Sequence, residues 1–283
     1  SCALAGFIGM IKDSLQKIPI TVSLYHFSDR CRNVFKAANR FGFTFLRLLA
    51  YDITIKNYNK RIQTMTDMNK EVVFKMHLVE TAPEAHDEYL NARRGQMITA
   101  VAIEDGTFGM YASHRPEDLT KNYTFEVFNN QAAYDEHVAA DQYQQFKQEM
   151  AGVIVNDQVV DLEPQFMGHQ DVALNISTPN GLWINIVQIT VKPEHLADYQ
   201  RVVTAQLENA LKIDPGILAI YAGTKQGRPD DWVIYEVFQS EENYRNHIAN
   251  PDHQKYVAAS KDWIQNKQVD QTIGDVLVNT GNN

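Results

Sequence analysis

Between residues 182 and 191 the chain reads LWINIVQITV, apolar and β-branched at nearly every position, the pattern of a strand covered on both faces. Lys192-Pro193 interrupts it, with proline suited to a helix's first turn. Leu196, Tyr199, Val203, Leu207 and Leu211 then recur at helical spacing, which predicts a helix with one face on a core. Asp214-Pro215-Gly216 is a turn, and 217–223 and 232–238 read as two strands joined by a polar loop over 224–231. Ser240 ahead of Glu241 and Glu242 is an N-cap with an acidic first turn, predicting a helix from there to about Trp263. A last strand is expected over 269–278.

This β-α-β-β-α-β order occurs twice. Residues 123–146 and 233–256 align without a gap at an offset of 110, and Glu126-Val127-Phe128, Tyr134, His137, Ala139 and Gln144 recur as Glu236-Val237-Phe238, Tyr244, His247, Ala249 and Gln254. Upstream, Gly106 recurs as Gly216 and Tyr111-Ala112 as Tyr221-Ala222, giving 16 identities over the 68 positions 83–150. An internal repeat fixes architecture before any single motif does. The first copy is expected to have strands near 71–79, 107–114, 123–128 and 159–166, with helices near 83–102 and 130–150. The fold class is therefore α+β: tandem ferredoxin-like repeats. Each has two helices, enough for one sheet face, so the other apolar faces should pack on each other as an α+β barrel. A ligand cavity is expected between the sheets. The expected organisation is 67–166 and 182–283 as repeats and 167–181 (polar, ending in Pro-Asn-Gly) as linker.

Charge sets residues 1–66 apart. They hold 10 Lys/Arg against 3 Asp/Glu, net +7, whereas the remaining 217 residues hold 16 against 32, net −16. This basic segment reads as a leader, an extension or a consequence of start-site choice, with Met65 or Met68 as alternative beginnings. Acidic repeats argue against nucleic-acid binding, and no run reaches the ~18 apolar residues of a membrane span. Cys2 and Cys31, both in 1–66, give no disulfide framework, which makes a reducing cytoplasm the default.

The strand-helix segment Glu-Val-Phe…Tyr-x-x-His, followed by Asn250-Pro251-Asp252-His253, resembles the antibiotic biosynthesis monooxygenase family over roughly 70–166 and 182–279. That resemblance implies dimeric α+β barrels, here with both halves in one chain, as a monomeric pseudo-dimer or a homodimer of such chains. Its members include cofactor-free monooxygenases of anthrones and quinols, haem-degrading enzymes and autoinducer phosphate isomerases. The haem branch's catalytic Trp falls at His137 and His247 and its iron-ligating His at Lys147 and Val257, departures that count against haem. The isomerase branch has a similar Tyr-Glu pair and following His, and would act on a small phosphorylated hydroxy-dione. A non-catalytic small-molecule binding or stress-response barrel is the third alternative.

Oxygenation without a cofactor needs an apolar pocket, a base, and donors that hold the substrate anion. His137 and His247 are candidate bases because imidazole titrates near neutrality, and each lies three residues after Tyr134 or Tyr244, on one helical face. Packing alone would also explain that face. Glu126 and Glu236 interrupt apolar strands, sharing a face with Phe128 and Phe238; a cavity-facing carboxylate would have a raised pKa, and a structural one would pair with an Arg or a helix terminus. His77 and Asn185, on the first strands, are candidate lining residues and are not duplicated: their counterparts are Val187 and Lys75, so the half-sites are expected to differ. His114 and His253 read as exposed, and Tyr111 and Tyr221 as buried rings. With no Cys pair, His-Glu-x-x-His or acidic calcium loop, no metal is expected. The expectation is thus a cofactor-independent oxidation of a small aromatic, quinol-like or phenolic substrate.

Overall fold

The computed structural model describes residues 71–170, 174–177 and 180–280. Residues 1–66, read as a basic segment outside the repeat, lie outside the described residues. Repeat 1 comprises β1 (Val73–Thr81), α1 (His86–Ile103), β2 (Thr107–Arg115), β3 (Asp118–Phe128), α2 (Gln131–Ala139), α3 (Asp141–Glu149) and β4 (Ile154–His169). After the two-residue strand β5 (Asn175–Ile176), repeat 2 comprises β6 (Trp183–Val191), α4 (Leu196–Ile213), β7 (Ile217–Lys225), β8 (Arg228–Phe238), α5 (Glu241–Ala249), α6 (Pro251–Ser260) and β9 (Ile264–Asn279). A single 3₁₀ turn, Pro193–His195, leads into α4.

The strands run β2-β3-β1-β4-β7-β8-β6-β9, and β9 pairs back onto β2, closing an eight-stranded antiparallel barrel. Both seams are made by the long last strands. Leu162–His169 of β4 pair with β7 of the other repeat, and Ile273–Asn279 of β9 pair with β2. The segment read as a linker therefore contributes Met167–His169 to β4 and carries β5, which pairs with β9.

Strand alternation sorts the side chains. Phe74, Met76, Tyr111, Phe125, Tyr221 and Tyr235 point into the barrel and pack in one cluster with Ile184, Ile186 and Val237. The opposite face of each sheet lies under the helices: Val187, Ile189, Ile234 and Phe238 meet Tyr199, Val203, Leu207 and Ala210 of α4. The apolar pattern of both strand faces is thereby explained. Among the described residues, aromatic rings pack into the space between the sheets where the sequence predicts a cavity; Phe125 and Tyr235 approach to 4.5 Å between centroids.

The second helix of each repeat is two helices rather than one. Asn250, with φ −61° and ψ 132°, leaves the helical region ahead of Pro251, as pre-proline sterics favour, and its side chain accepts a hydrogen bond from Asp252 N. Ala140 breaks repeat 1 at the same point without proline. Ser240 and Asn130 are the N-caps, accepting from Asn243 N and Ala133 N. Among the described residues, no helix is long and apolar enough to cross a membrane.

Candidate functional site

The repeat places equivalent residues between sheet and helices at two positions, and these positions are built differently. In repeat 2 a cavity of about 60 Å³ opens between β6, β8 and β9 on one side and α4, α5 and α6 on the other. Its polar lining comprises Glu236, Asn185, His247, His253, Gln206 and Lys267, set among Val203, Ile234, Tyr244 and Tyr256.

Glu236 is the central group. It lies opposite Asn185 in the β6–β8 register, and among the described residues it has no cation within ion-pair distance. Burial pushes its carboxyl up to about 7, partly offset by the Asn185 amide and by Lys267. Asn185 is 1 % exposed. The Trp183 indole N–H donates to Asn185 Oδ1 at 3.0 Å. An indole can only donate, so this bond orients the amide and turns Nδ2 away as the free donor. That Nδ2 makes no hydrogen bond of ordinary geometry, although its dipole faces Glu236. Trp183 itself is held flat on Tyr244, with 5.5 Å between centroids and 12° between planes.

Two histidines complete the lining. Burial drives both His247 and His253 down to about 4, with His247 and Lys267 adding to the effect on His253. Both are neutral imidazoles at neutral pH. Their rings meet edge to face at 4.7 Å, and His247 Nδ1 lies 4.0 Å from Asp214. His253, read from the sequence as exposed, is half-buried with its Nδ1 unpartnered. The break after Asn250 turns α6 so that His253 and Tyr256 lie over the cavity.

In repeat 1 the same space is filled with charge. Arg93, at the position of Val203, reaches in from α1 and donates to Glu126 Oε1 at 2.8 Å. His77, at the position of Val187, lies 3.5 Å from the other Glu126 oxygen and 3.0 Å from Asp157. Arg93 and Glu126 are 4 % and 1 % exposed. Burial alone would lower His77, but Glu126 and Asp157 outweigh it and hold the imidazole up at about 9. Burial alone would likewise raise Glu126, yet His77 and Arg93 hold it well below the usual carboxylate range. Lys75, at the position of Asn185, pairs with Asp161 and stands 4.3 Å over the Tyr134 ring.

The two duplicated histidines have likewise diverged. His137 is fully enclosed: its Nδ1 bonds Glu104 at 2.8 Å, and Gln96 Nε2 is 3.4 Å from its Nε2. Gln142 also donates to Glu104, and together with His137 and Thr107 it keeps that carboxyl low against the effect of burial. Thus Glu236, Asn185, His247 and Tyr244 come together around one cavity, while Glu126 and His77 are tied to Arg93 and Asp157, His137 to Glu104, and Tyr134 to Lys75. Phe128 and Phe238 are buried on the helix-facing side, each ring against its His, 5.1 and 5.4 Å away. His114, also read as exposed, is buried and bonds Asp275 at 2.9 Å. Tyr111 and Tyr221 are buried as expected, with their hydroxyls 2.8 Å apart inside the barrel. Sequence reasoning missed Arg93, Gln206, His253 and Lys267. For Arg93 against Val203 the offset alignment held the signal: a charge replacing an apolar residue on a helix's inner face. Among the described residues no group of three or more His, Cys, Asp and Glu could hold a metal.

The profile of the antibiotic biosynthesis monooxygenase family matches this chain twice, over residues 73–149 and 183–259, and the chain belongs to that family. Among solved structures it is similar to a candidate monooxygenase from Lactobacillus acidophilus, with 21 % identity and TM-score 0.68 over 75 % of this chain and 98 % of that one. A second candidate monooxygenase, from Fusobacterium nucleatum, has 20 % identity and TM-score 0.70 over 75 % and 96 %. An anthrone oxidase-like protein has 9 % identity and TM-score 0.51 over 76 % and 96 %. These likenesses establish the shared fold. No curated protein sequence matches the chain at a significant level.

Proposed function

We propose that this protein is a cofactor-independent monooxygenase of a small quinol-like or phenolic substrate, working from the repeat 2 cavity alone. The observation that carries the reading is Glu236, a carboxyl raised to about 7 with no ion-pair partner, facing the oriented and unsatisfied amide of Asn185. A base poised near the working pH is the most effective one. Glu236 takes the substrate's hydroxyl proton, and Asn185 Nδ2 donates to the oxyanion left behind. The electron-rich anion passes one electron to O2, and the radical pair joins as a ring peroxide. Its O–O bond then breaks. One oxygen atom stays as a carbonyl where the ring bore C–H, and the other leaves as water with the two hydrogens removed. The neutral His247 and His253 line the route for the returning proton. The alternative of a phosphate isomerase calls for a cluster of cations, and among the described residues Lys267 is the one cation lining this cavity.

Oxygen uptake with a panel of quinols and phenols tests the proposal. The rate should rise with pH through about 7 as Glu236 ionises, and Glu236→Gln should lower kcat by roughly 10²-fold or more. Asn185→Ala should fall in the same direction, while His137→Ala retains turnover wherever it folds. Absence of uptake by the intact protein across the panel would sink the assignment.

A further inference from the structure

The two positions share an inner carboxylate, Glu126 or Glu236, and differ in the charges around it. In repeat 1 the cations lie inside, as Arg93 and His77, and the carboxylate of Asp157 lies at the outer edge. In repeat 2 the carboxylate of Glu236 is inside, and the residue at the place of Asp157 is Lys267. Lys267 pairs across β6 with Ile189, four residues along from Asn185 and therefore about 13 Å from the level of Glu236 at strand rise. Its long side chain covers part of that distance, which leaves a span comparable to one substituted aromatic ring. It is exposed at the cavity edge beside Val269, and among the described residues no carboxylate lies within ion-pair distance of it. The ammonium nevertheless acts on both inner groups, since it lowers Glu236 and His253. Residues 67–283 carry a net charge of −16, so a cation at the mouth gives this cavity a partner for an anion on an otherwise acidic body.

We infer that the repeat 2 cavity selects a hydroxyaryl carboxylate: a ring whose hydroxyl meets Glu236 and Asn185 inside and whose carboxylate pairs with Lys267 at the mouth. Lys267 is then a specificity-determining residue. The inference rests on the proposed site in repeat 2 but not on its chemistry, because recognition of the anion needs no oxygen.

Calorimetric titration under nitrogen at pH 7.5 with 2,5-dihydroxybenzoate and with hydroquinone, which differ by the carboxylate, tests it. The wild type should bind the carboxylate roughly fivefold more tightly, the scale of a partly exposed charge pair. Lys267→Met should erase that preference, read as the ratio of the two affinities within the variant. Val203→Arg, which places repeat 1's filling residue in the cavity, should weaken both compounds at least tenfold. Equal affinities in the wild type, a preference that survives Lys267→Met, affinities unchanged by Val203→Arg, or no binding of either compound would each overturn the inference. Lysine-dependent binding without oxygen uptake would leave the anion selectivity standing and remove the monooxygenase. Turnover of both quinols with no carboxylate preference would do the reverse.

Discussion

Glu126 and Glu236 occupy the same strand position, 110 residues apart, and their surroundings send them opposite ways. Glu126 accepts from Arg93 and lies against His77, which holds it ionised; Glu236 has lost both partners, because Val203 and Val187 stand in their places. The same substitution should therefore have opposite signs. Glu126→Gln leaves the buried Arg93 without its counter-charge and His77 with Asp157 alone, and should destabilise the protein by about 3 kcal/mol at pH 8. Glu236→Gln removes a buried carboxylate with no ion-pair partner and should stabilise it by on the order of 1–3 kcal/mol at the same pH. The sign follows from linkage: the folded-state pKa of Glu236, about 7, lies above the ordinary 4.5. The carboxyl favours the fold below pH 4.5, and that contribution is lost as pH rises through 7. The gain from Glu236→Gln should consequently vanish near pH 4.5, as urea unfolding at the two pH values will reveal. A variant that gains stability while losing oxygen uptake would mark Glu236 as a residue kept for chemistry rather than for folding.

Among the elements, the sharpest constraint is where α2 and α5 cross the turns that follow α1 and α4. A methyl group added to Gly106 would lie 2.1 Å from Ala133 Cβ, and one added to Gly216 would lie 2.2 Å from Asn243 Nδ2. Ala133 has no way to yield except by moving its helix; the Asn243 amide can swing once it gives up its bond to Ser240, but its Cβ, at 2.8 Å, still requires a smaller shift of the same kind. Gly106→Ala should thus cost about 1–3 kcal/mol, and Gly216→Ala less, measured as the shift in urea midpoint at constant m-value. Both glycines were visible in the offset alignment, and the order of elements along the chain, the inner face of α4 and the Ser240 cap were visible in the sequence. The break in the second helix was half visible: Asn250-Pro251 announces it in repeat 2, but Ala140-Asp141 carries no such mark. The position of the cavity could not be read at all. Strands apolar on both faces say only that each face is covered; the aromatic volume of Tyr111, Phe125, Tyr221 and Tyr235 decides that the barrel interior is full, so the open space lies under the helices. That Arg93 closes one position depended on its reach to Glu126, a contact between elements 33 residues apart.

For the whole molecule, the closed barrel means that neither repeat is complete alone. A separated repeat 1 would expose Phe74, Met76, Tyr111 and Phe125 on a bare sheet face and leave β2 and the end of β4 without their partners β9 and β7. Large apolar surface beside unpaired edges drives association. At about 1.5–3 kcal/mol for each large apolar side chain buried, those four contribute about as much as the ~5–15 kcal/mol by which a domain is stable. A fragment spanning 71–170 should therefore not remain a folded monomer; it should either pair with itself through the same seams or aggregate. Self-pairing would place two Arg93–Glu126 fillings in one barrel and give a dimer without a cavity. A fragment spanning 180–280 that paired with itself would carry two cavities and two unpartnered Glu236 carboxyls, and so should be less stable above pH 7 than below pH 5. Mixing the two fragments should favour the heterodimer, in which the hydroxyls of Tyr111 and Tyr221 meet as they do at 2.8 Å in the intact chain. Light scattering of each fragment and of the mixture distinguishes these species. A monomeric, fully folded 71–170 fragment would show that the inner face is not what holds the repeats together.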